Sequence, residues 1–200
     1  MRRTWLFVPG ADERAHAAAA RSGADVIILE LEDFTPPELR AKARALSGKA
    51  FALWRQAGAL AAVRVNPLES CGREDLAGVA RADVVMMSKV AAPEQVRALA
   101  ALAAGVELVP NVETAAGLLR IQEIARADAR VTALLVASED MVADLGTERS
   151  RGGEELAYVR ARFLVECRAA GVEAIDCPYT FSDAKGAAAD ARYAKRLGYR

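Results

Sequence analysis

Seven times along this 200-residue chain, a mainly apolar run ends on polar residues and gives way to a stretch of helical character. The runs occupy residues 4–8, 26–31, 60–65, 83–87, 106–112, 131–137 and 172–175. They are continuous rather than alternating, so both faces of each strand are expected to be covered. Strands of that kind, separated by helical segments, predict a parallel α/β arrangement with helical crossovers. No G-x-G-x-x-G follows any of the runs, so a dinucleotide-binding sheet has little support. No linker or shift in composition marks a second domain. The expectation is one domain over residues 1–200.

Helix signals lie where that arrangement needs them. Asp12 can cap a helix that stops near Ser22-Gly23. Pro36-Pro37 precedes a long helix over 38–56 with a potential flaw at Ser47-Gly48. Pro93 opens the helix before Gly105 at a favoured first-turn position. A single helix is expected over about 115–127, and 141–153 reads mainly as a long connection. Helices over 154–170 and about 184–197 are expected to stop at Gly171 and Gly198.

Polar residues gather at or just past the ends of the apolar runs: Glu30, Glu32 and Asp33; Arg64 and Asn66; Lys89; Asn111 and Glu113; Glu139 and Asp140; Asp176. In a (β/α)8 barrel the C-terminal strand ends share one face, and that face holds the active site. Charges also occur in βα loops simply because loops are wet. Glu113 and Asp140 weigh more, because each follows a buried run, where a carboxylate is costly unless something neutralises it. Two or three carboxylates beside an arginine and a lysine make a hard-cation site that also suits an anionic oxygen substrate. Magnesium is the natural ion.

Composition narrows the partners. Twenty-seven Lys and Arg balance twenty-seven Asp and Glu, which argues against a general nucleic-acid or anionic-membrane surface. Small organic molecules fit better. Cys71, Cys167 and Cys177 form no C-x-x-C pair, and His16 is the only histidine, so zinc-type ligation is not expected. Three thiols without secretory context read as free cysteines in a reducing compartment. The apolar run after Arg2-Arg3 stops at Pro9-Gly10, too short for a signal peptide or membrane span. A soluble cytoplasmic protein is expected.

Several stretches, in order, resemble the HpcH/HpaI aldolase and citrate lyase beta subunit superfamily, with citrate lyase beta-like proteins the nearest type. They are Arg3-Thr4-Trp5-Leu6-Phe7-Val8-Pro9-Gly10, Gly23-Ala24-Asp25 through Leu31-Glu32-Asp33, Val63-Arg64-Val65-Asn66-Pro67-Leu68, Lys89-Val90, Val112-Glu113-Thr114-Ala115-Ala116-Gly117, Glu139-Asp140-Met141-Val142-Ala143-Asp144-Leu145-Gly146, and Ala174-Ile175-Asp176. The resemblance implies a (β/α)8 TIM-type barrel and a divalent metal, Mg2+ with Mn2+ as a substitute. It further implies carbon–carbon bond cleavage or formation by a homo-oligomer. By that resemblance Glu113 and Asp140 are the metal carboxylates and Arg64 is the substrate-binding arginine. Glu113 also lies against substrate, and Glu32 and Asp33 form the acidic pair that supports the site.

The loop from Pro67 to Asp75 matches the region where relatives hold a CoA or carrier thioester. The general base stays open between a water at the metal and one of Glu32 and Asp33. Two positions depart from the family pattern: Glu30 replaces a usual Asp, and Ala137 a usual Gly. The chain stops at Leu197-Gly198-Tyr199-Arg200, where relatives continue into an eighth strand and a C-terminal extension. The expectation is a barrel lacking both.

The functional expectation is a magnesium-dependent carbon–carbon lyase. It would convert a 3-hydroxy acyl thioester of CoA or a carrier to a 2-keto acid such as oxaloacetate plus an acetyl unit. Two alternatives stand beside it. One is an HpcH-type aldolase on free 2-keto acids such as pyruvate, and the other a truncated, non-catalytic barrel that binds ligands or partners.

Overall fold

The structure, a computed structural model, describes residues 2–200. It has two compact units. The first holds residues up to Ser88 together with Ala98–Leu108, and the second holds Lys89–Arg97 and Val109–Arg200.

In the first unit, strands β1 (Trp5–Pro9), β2 (Val26–Glu30), β3 (Leu60–Val65) and β4 (Val84–Met87) pair in chain order, each parallel to the next. Every residue of β2 is buried, Glu30 included, as a strand covered on both faces requires. Helices α1 (Glu13–Ala19), α2 (Arg40–Gln56) and α3 (Gly72–Gly78) fill the connections. Asp12 caps α1 as expected, its carboxylate accepting from the N–H groups of Arg14 and Ala15.

Ser47-Gly48 leaves α2 unbroken. The Ser47 hydroxyl donates back to the Arg44 carbonyl at 2.6 Å and accepts the Ala80 N–H at 2.8 Å. These small residues let another backbone segment approach the helix. Phe51 and Trp54 of α2 are fully buried. Trp54 donates its indole N–H to the His16 carbonyl and meets the His16 ring edge-on. His16 is a packing residue of α1, with Nε2–H donating to the Pro9 carbonyl. Burial lowers its pKa.

In the second unit, β5 (Glu107–Val112, whose first two residues belong to the first unit), β6 (Ala133–Val136) and β7 (Glu173–Ile175) again pair in parallel and in order. Helix α4 (Pro93–Leu102) likewise carries the unit boundary. The helix expected over 115–127 is two helices, α5 (Ala115–Leu118) and α6 (Ile121–Ala125). Gly117 presses α5 against the Val90 carbonyl, and the chain then turns at Leu119-Arg120 to bury Ile121 and Ile124.

A further helix, α7 (Glu139–Asp144), occupies the start of the expected 141–153 connection. Helices α8 (Ala157–Ala170) and α9 (Ala184–Leu197) complete the unit. Gly171 ends α8 in the left-handed region at φ 78°, which glycine adopts without penalty. Seven strands are present among the described residues, and none of these residues forms an eighth. No described helix is long and apolar enough to cross a membrane.

Candidate active site

Glu30, the last residue of β2, and Arg64, the last but one of β3, lie opposite each other as register partners. Arg64 donates Nε–H to Glu30 Oε1 at 2.9 Å. Its Nη2 lies 3.3 Å from Glu32 Oε2 and 3.2 Å from Asp33 Oδ2. The guanidinium also lies over two rings, 5.0 Å from the Phe7 centroid and 6.0 Å from that of Phe34. Three carboxylates and two aromatic rings therefore fix one nearly buried arginine.

The turn after β2 makes this possible. Both oxygens of Glu30 accept backbone N–H bonds at 2.6 Å, one from Glu32 and one from Phe34. That folds the acidic pair back over Arg64. Glu30 is a fully buried ion-pair partner of Arg64. Asn66 serves the frame, its amide donating to the Leu31 carbonyl and to the buried carboxylate of Asp75. The aromatic partners Phe7 and Phe34 carry no sequence signal that separates them from ordinary packing residues.

In the second unit, Glu113 directly follows β5 and is completely buried. Val112 packs toward α5, where a Cβ on Gly117 would sit 3.2 Å from it. Strand alternation therefore turns Asn111 and Glu113 to the opposite face. The N–H of Ala137 bonds the Val112 carbonyl at 3.0 Å, so the segment after β6 leaves from the same end. Asp140 lies in the first turn of α7, half-buried, with Oδ1 4.0 Å from Lys89 Nζ.

Its neighbour Glu139 is otherwise engaged, accepting from the Thr180 hydroxyl and lying 3.6 Å from Arg149 Nε. Thr114 caps α5 through the Gly117 N–H, and Asp144 accepts the Ala115 N–H at 2.7 Å. The turn that presents Glu113 is thus held from both sides. Asn111 is fully buried, and neither polar atom of its side chain has a hydrogen-bond partner.

Asp176, also expected at this end, has another use. Arg160 grips its carboxylate through Nε and Nη2 and bonds Asp190 through Nη1 at 2.7 Å. Burial raises the Asp176 pKa against the pull of Arg160. Cys167 and Cys177 are buried thiols, and burial pushes Cys167 up to about 12. Such thiols are inert as nucleophiles.

A hard divalent cation fits the donors of the second unit. Glu113 is a carboxylate buried to exclusion of solvent, and an ammonium already stands beside Asp140 where positive charge is favoured. No cluster of three or more His, Cys, Asp or Glu side chains suited to a metal occurs among the described residues. Magnesium needs only one or two carboxylates and leaves its other positions to water and substrate.

The family model for HpcH/HpaI aldolase/citrate lyase matches residues 3–200. The chain belongs to this family. Among its HpcH/HpaI relatives, citrate lyase subunit beta of Haemophilus influenzae is 32% identical over 216 residues, covering 100% of this chain and 74% of the relative. A (3S)-malyl-CoA thioesterase of Cereibacter sphaeroides is 32% identical over 201 residues, covering 98% and 70%. The solved citrate lyase beta subunit of Mycobacterium tuberculosis, complexed with oxaloacetate and magnesium, is 31% identical with a TM-score of 0.78, covering 99% of this chain and 89% of that one. A structure of protein CitE from the same organism, with magnesium, acetoacetate and coenzyme A, is 30% identical with a TM-score of 0.76, covering 99% and 74%. Magnesium and small organic acids thus accompany family members that match nearly the whole chain.

Proposed function

We propose that this protein is a magnesium-dependent carbon–carbon lyase of the citrate lyase beta type. Its substrate is a 3-hydroxy acyl thioester of CoA or a carrier, converted to a 2-keto acid such as oxaloacetate plus an acetyl unit. The observation that carries this reading is the delivery of Glu113 and Asp140 from the same end of adjacent parallel strands β5 and β6. The fold that goes with it is the (β/α)8-type barrel, supported by the parallel βα succession within each unit and a TM-score of 0.78 over 99% of the chain.

In the cleavage direction, the bond between the hydroxyl-bearing carbon and the acetyl α-carbon breaks. The hydroxyl proton leaves to a base, the hydroxyl carbon becomes the keto carbon, and the electron pair passes to the acetyl fragment as its enolate, which then takes a proton. Glu113 and Asp140 would hold the divalent ion. Bound there, magnesium supplies Lewis-acid polarisation of the keto-acid oxygens. Arg64 remains a cation at every working pH and offers fixed donors to substrate carboxylate or developing oxyanion charge. Glu32 and Asp33 hold Arg64 in place, and either carboxylate is a candidate to take the hydroxyl proton.

The 32% identity to a malyl-CoA thioesterase favours a second reading, hydrolysis of a 3-hydroxy acyl-CoA thioester at the same residues. One assay set separates the readings. Magnesium should raise the melting temperature of wild type and not of Glu113→Ala. Oxaloacetate with acetyl-CoA should give turnover that Arg64→Ala loses. Free CoA released from malyl-CoA without glyoxylate would select the thioesterase, and turnover only of pyruvate with an aldehyde would select the free-acid aldolase. No magnesium response and no turnover of any substrate would sink the proposal.

A further inference from the structure

Lys89 is the one residue other than glycine with a positive φ, 56°, among the described residues. A side chain with a Cβ is disfavoured in this left-handed region, and such conformations persist where surrounding structure holds them. That structure is visible. The Val90 N–H donates to the Asn111 carbonyl at 3.0 Å. The Gln95 side-chain oxygen accepts the N–H groups of Ala91 and Ala92, and its amide donates to the Lys89 carbonyl at 3.4 Å. Gly117 packs on the Val90 carbonyl from α5. None of these contacts uses the lysine side chain, and a glycine would make the same turn without penalty.

The side chain has a different setting. Nζ lies 4.0 Å from Asp140 Oδ1, and the lysine side chain is 47% exposed, so a ligand in solution can reach it. An ammonium and a divalent ion on one carboxylate repel each other. Once an ion sits on Asp140, Lys89 is a cation beside it that can meet a negative group on the ligand.

We propose that Lys89 is a ligand-binding residue that pairs with Asp140 in the metal-free protein and with a carboxylate of the organic acid once magnesium is bound. The inference rests on the magnesium reading above and adds a residue to it. It makes Lys89 the link by which metal and organic acid bind cooperatively. Alone, the lysine opposes the metal, and with both present it favours the acid.

Calorimetric titration with magnesium chloride, then with oxaloacetate at saturating magnesium, tests this. Lys89→Met should bind magnesium alone a few-fold more tightly than wild type and oxaloacetate about tenfold more weakly, a loss of roughly 1.4 kcal/mol. Lys89→Arg should retain most of the oxaloacetate affinity. Lys89→Gly should lose it as Lys89→Met does while melting at or above wild type, because the backbone strain is relieved. Lys89→Gly serves if Lys89→Met folds poorly. If wild type binds magnesium and oxaloacetate, and both variants match it within twofold in both titrations, this inference falls and the magnesium reading stands. If wild type binds no magnesium, both fall.

Discussion

Glu30 and Arg64 are register partners across β2 and β3, and their side chains close a 2.9 Å ion pair that is almost wholly buried. A buried pair is held mainly by what happens when half of it is lost. Glu30→Ala would take the carboxylate partner from Arg64 Nε and would release the N–H groups of Glu32 and Phe34. A loss of about 3–5 kcal/mol is expected from removing one partner of such a pair. Urea denaturation checks it. Glu30→Gln, which keeps the acceptor oxygen, should lose less, and an Ala variant as stable as wild type would show that Arg64 does not depend on Glu30.

The strand ends were legible in the sequence because a buried parallel strand needs an unbroken apolar run, and the polar residue after it stands out. Arg64, Glu32, Asp33, Glu113 and Asp140 were all singled out that way or by resemblance. What each charge does was less legible, because partners come from distant chain segments. Asp176 reads like Glu113 in sequence, yet Arg160, sixteen residues earlier on α8, takes it up. The break between α5 and α6 was hidden for a similar reason. Local alanine-rich pattern favours one helix, and the close approach of Gly117 to Val90 is a contact no local window contains.

Asn111 presents the opposite case, a buried amide with no hydrogen bond at either end. An unsatisfied buried polar group costs about 1–3 kcal/mol, and an apolar side chain of similar shape avoids that. Asn111→Leu should therefore raise the melting temperature of the ligand-free protein, by about 2–4 °C per kcal/mol gained. Since Asn111 shares a face with Glu113, the same variant should weaken oxaloacetate binding. Differential scanning fluorimetry with and without magnesium and oxaloacetate reads both effects. A fall in the ligand-free melting temperature would mean that the amide is already satisfied by ordered water.

Acid stability should depend on Glu155. Burial alone would raise this carboxyl, but the Ser150 hydroxyl and N–H and the Arg149 guanidinium hydrogen-bond its charged form and hold it at about 2, against an ordinary 4.5. A folded-state pKa below the unfolded one gives stability that is complete above pH 4.5 and lost as pH falls towards 2. Glu155→Gln should be less stable at pH 7 and should show a flatter decline between those limits. Thermal melts across that range measure the slope, and parallel curves for wild type and variant would exclude Glu155 as a source.

Gly117 tests whether the turn that carries Glu113 can tolerate any displacement. A Cβ there would lie 2.7 Å from the Val90 carbonyl oxygen and 3.2 Å from a Val112 methyl. The first contact is with backbone, so α5 or the 89–92 segment must move. Overpacking of this kind costs about 1–3 kcal/mol. Because Thr114 caps α5 through the Gly117 N–H, the shift would reach the residue next to Glu113. Gly117→Ala should thus both melt lower and bind magnesium more weakly. In contrast, an Ala at Gly48, where the nearest atom would be 3.7 Å away on Ala80, should leave both unchanged or slightly raise stability. Measured side by side, equal effects at the two positions would show that the α5 turn has slack, and the close approach to Val90 would lose its significance for Glu113.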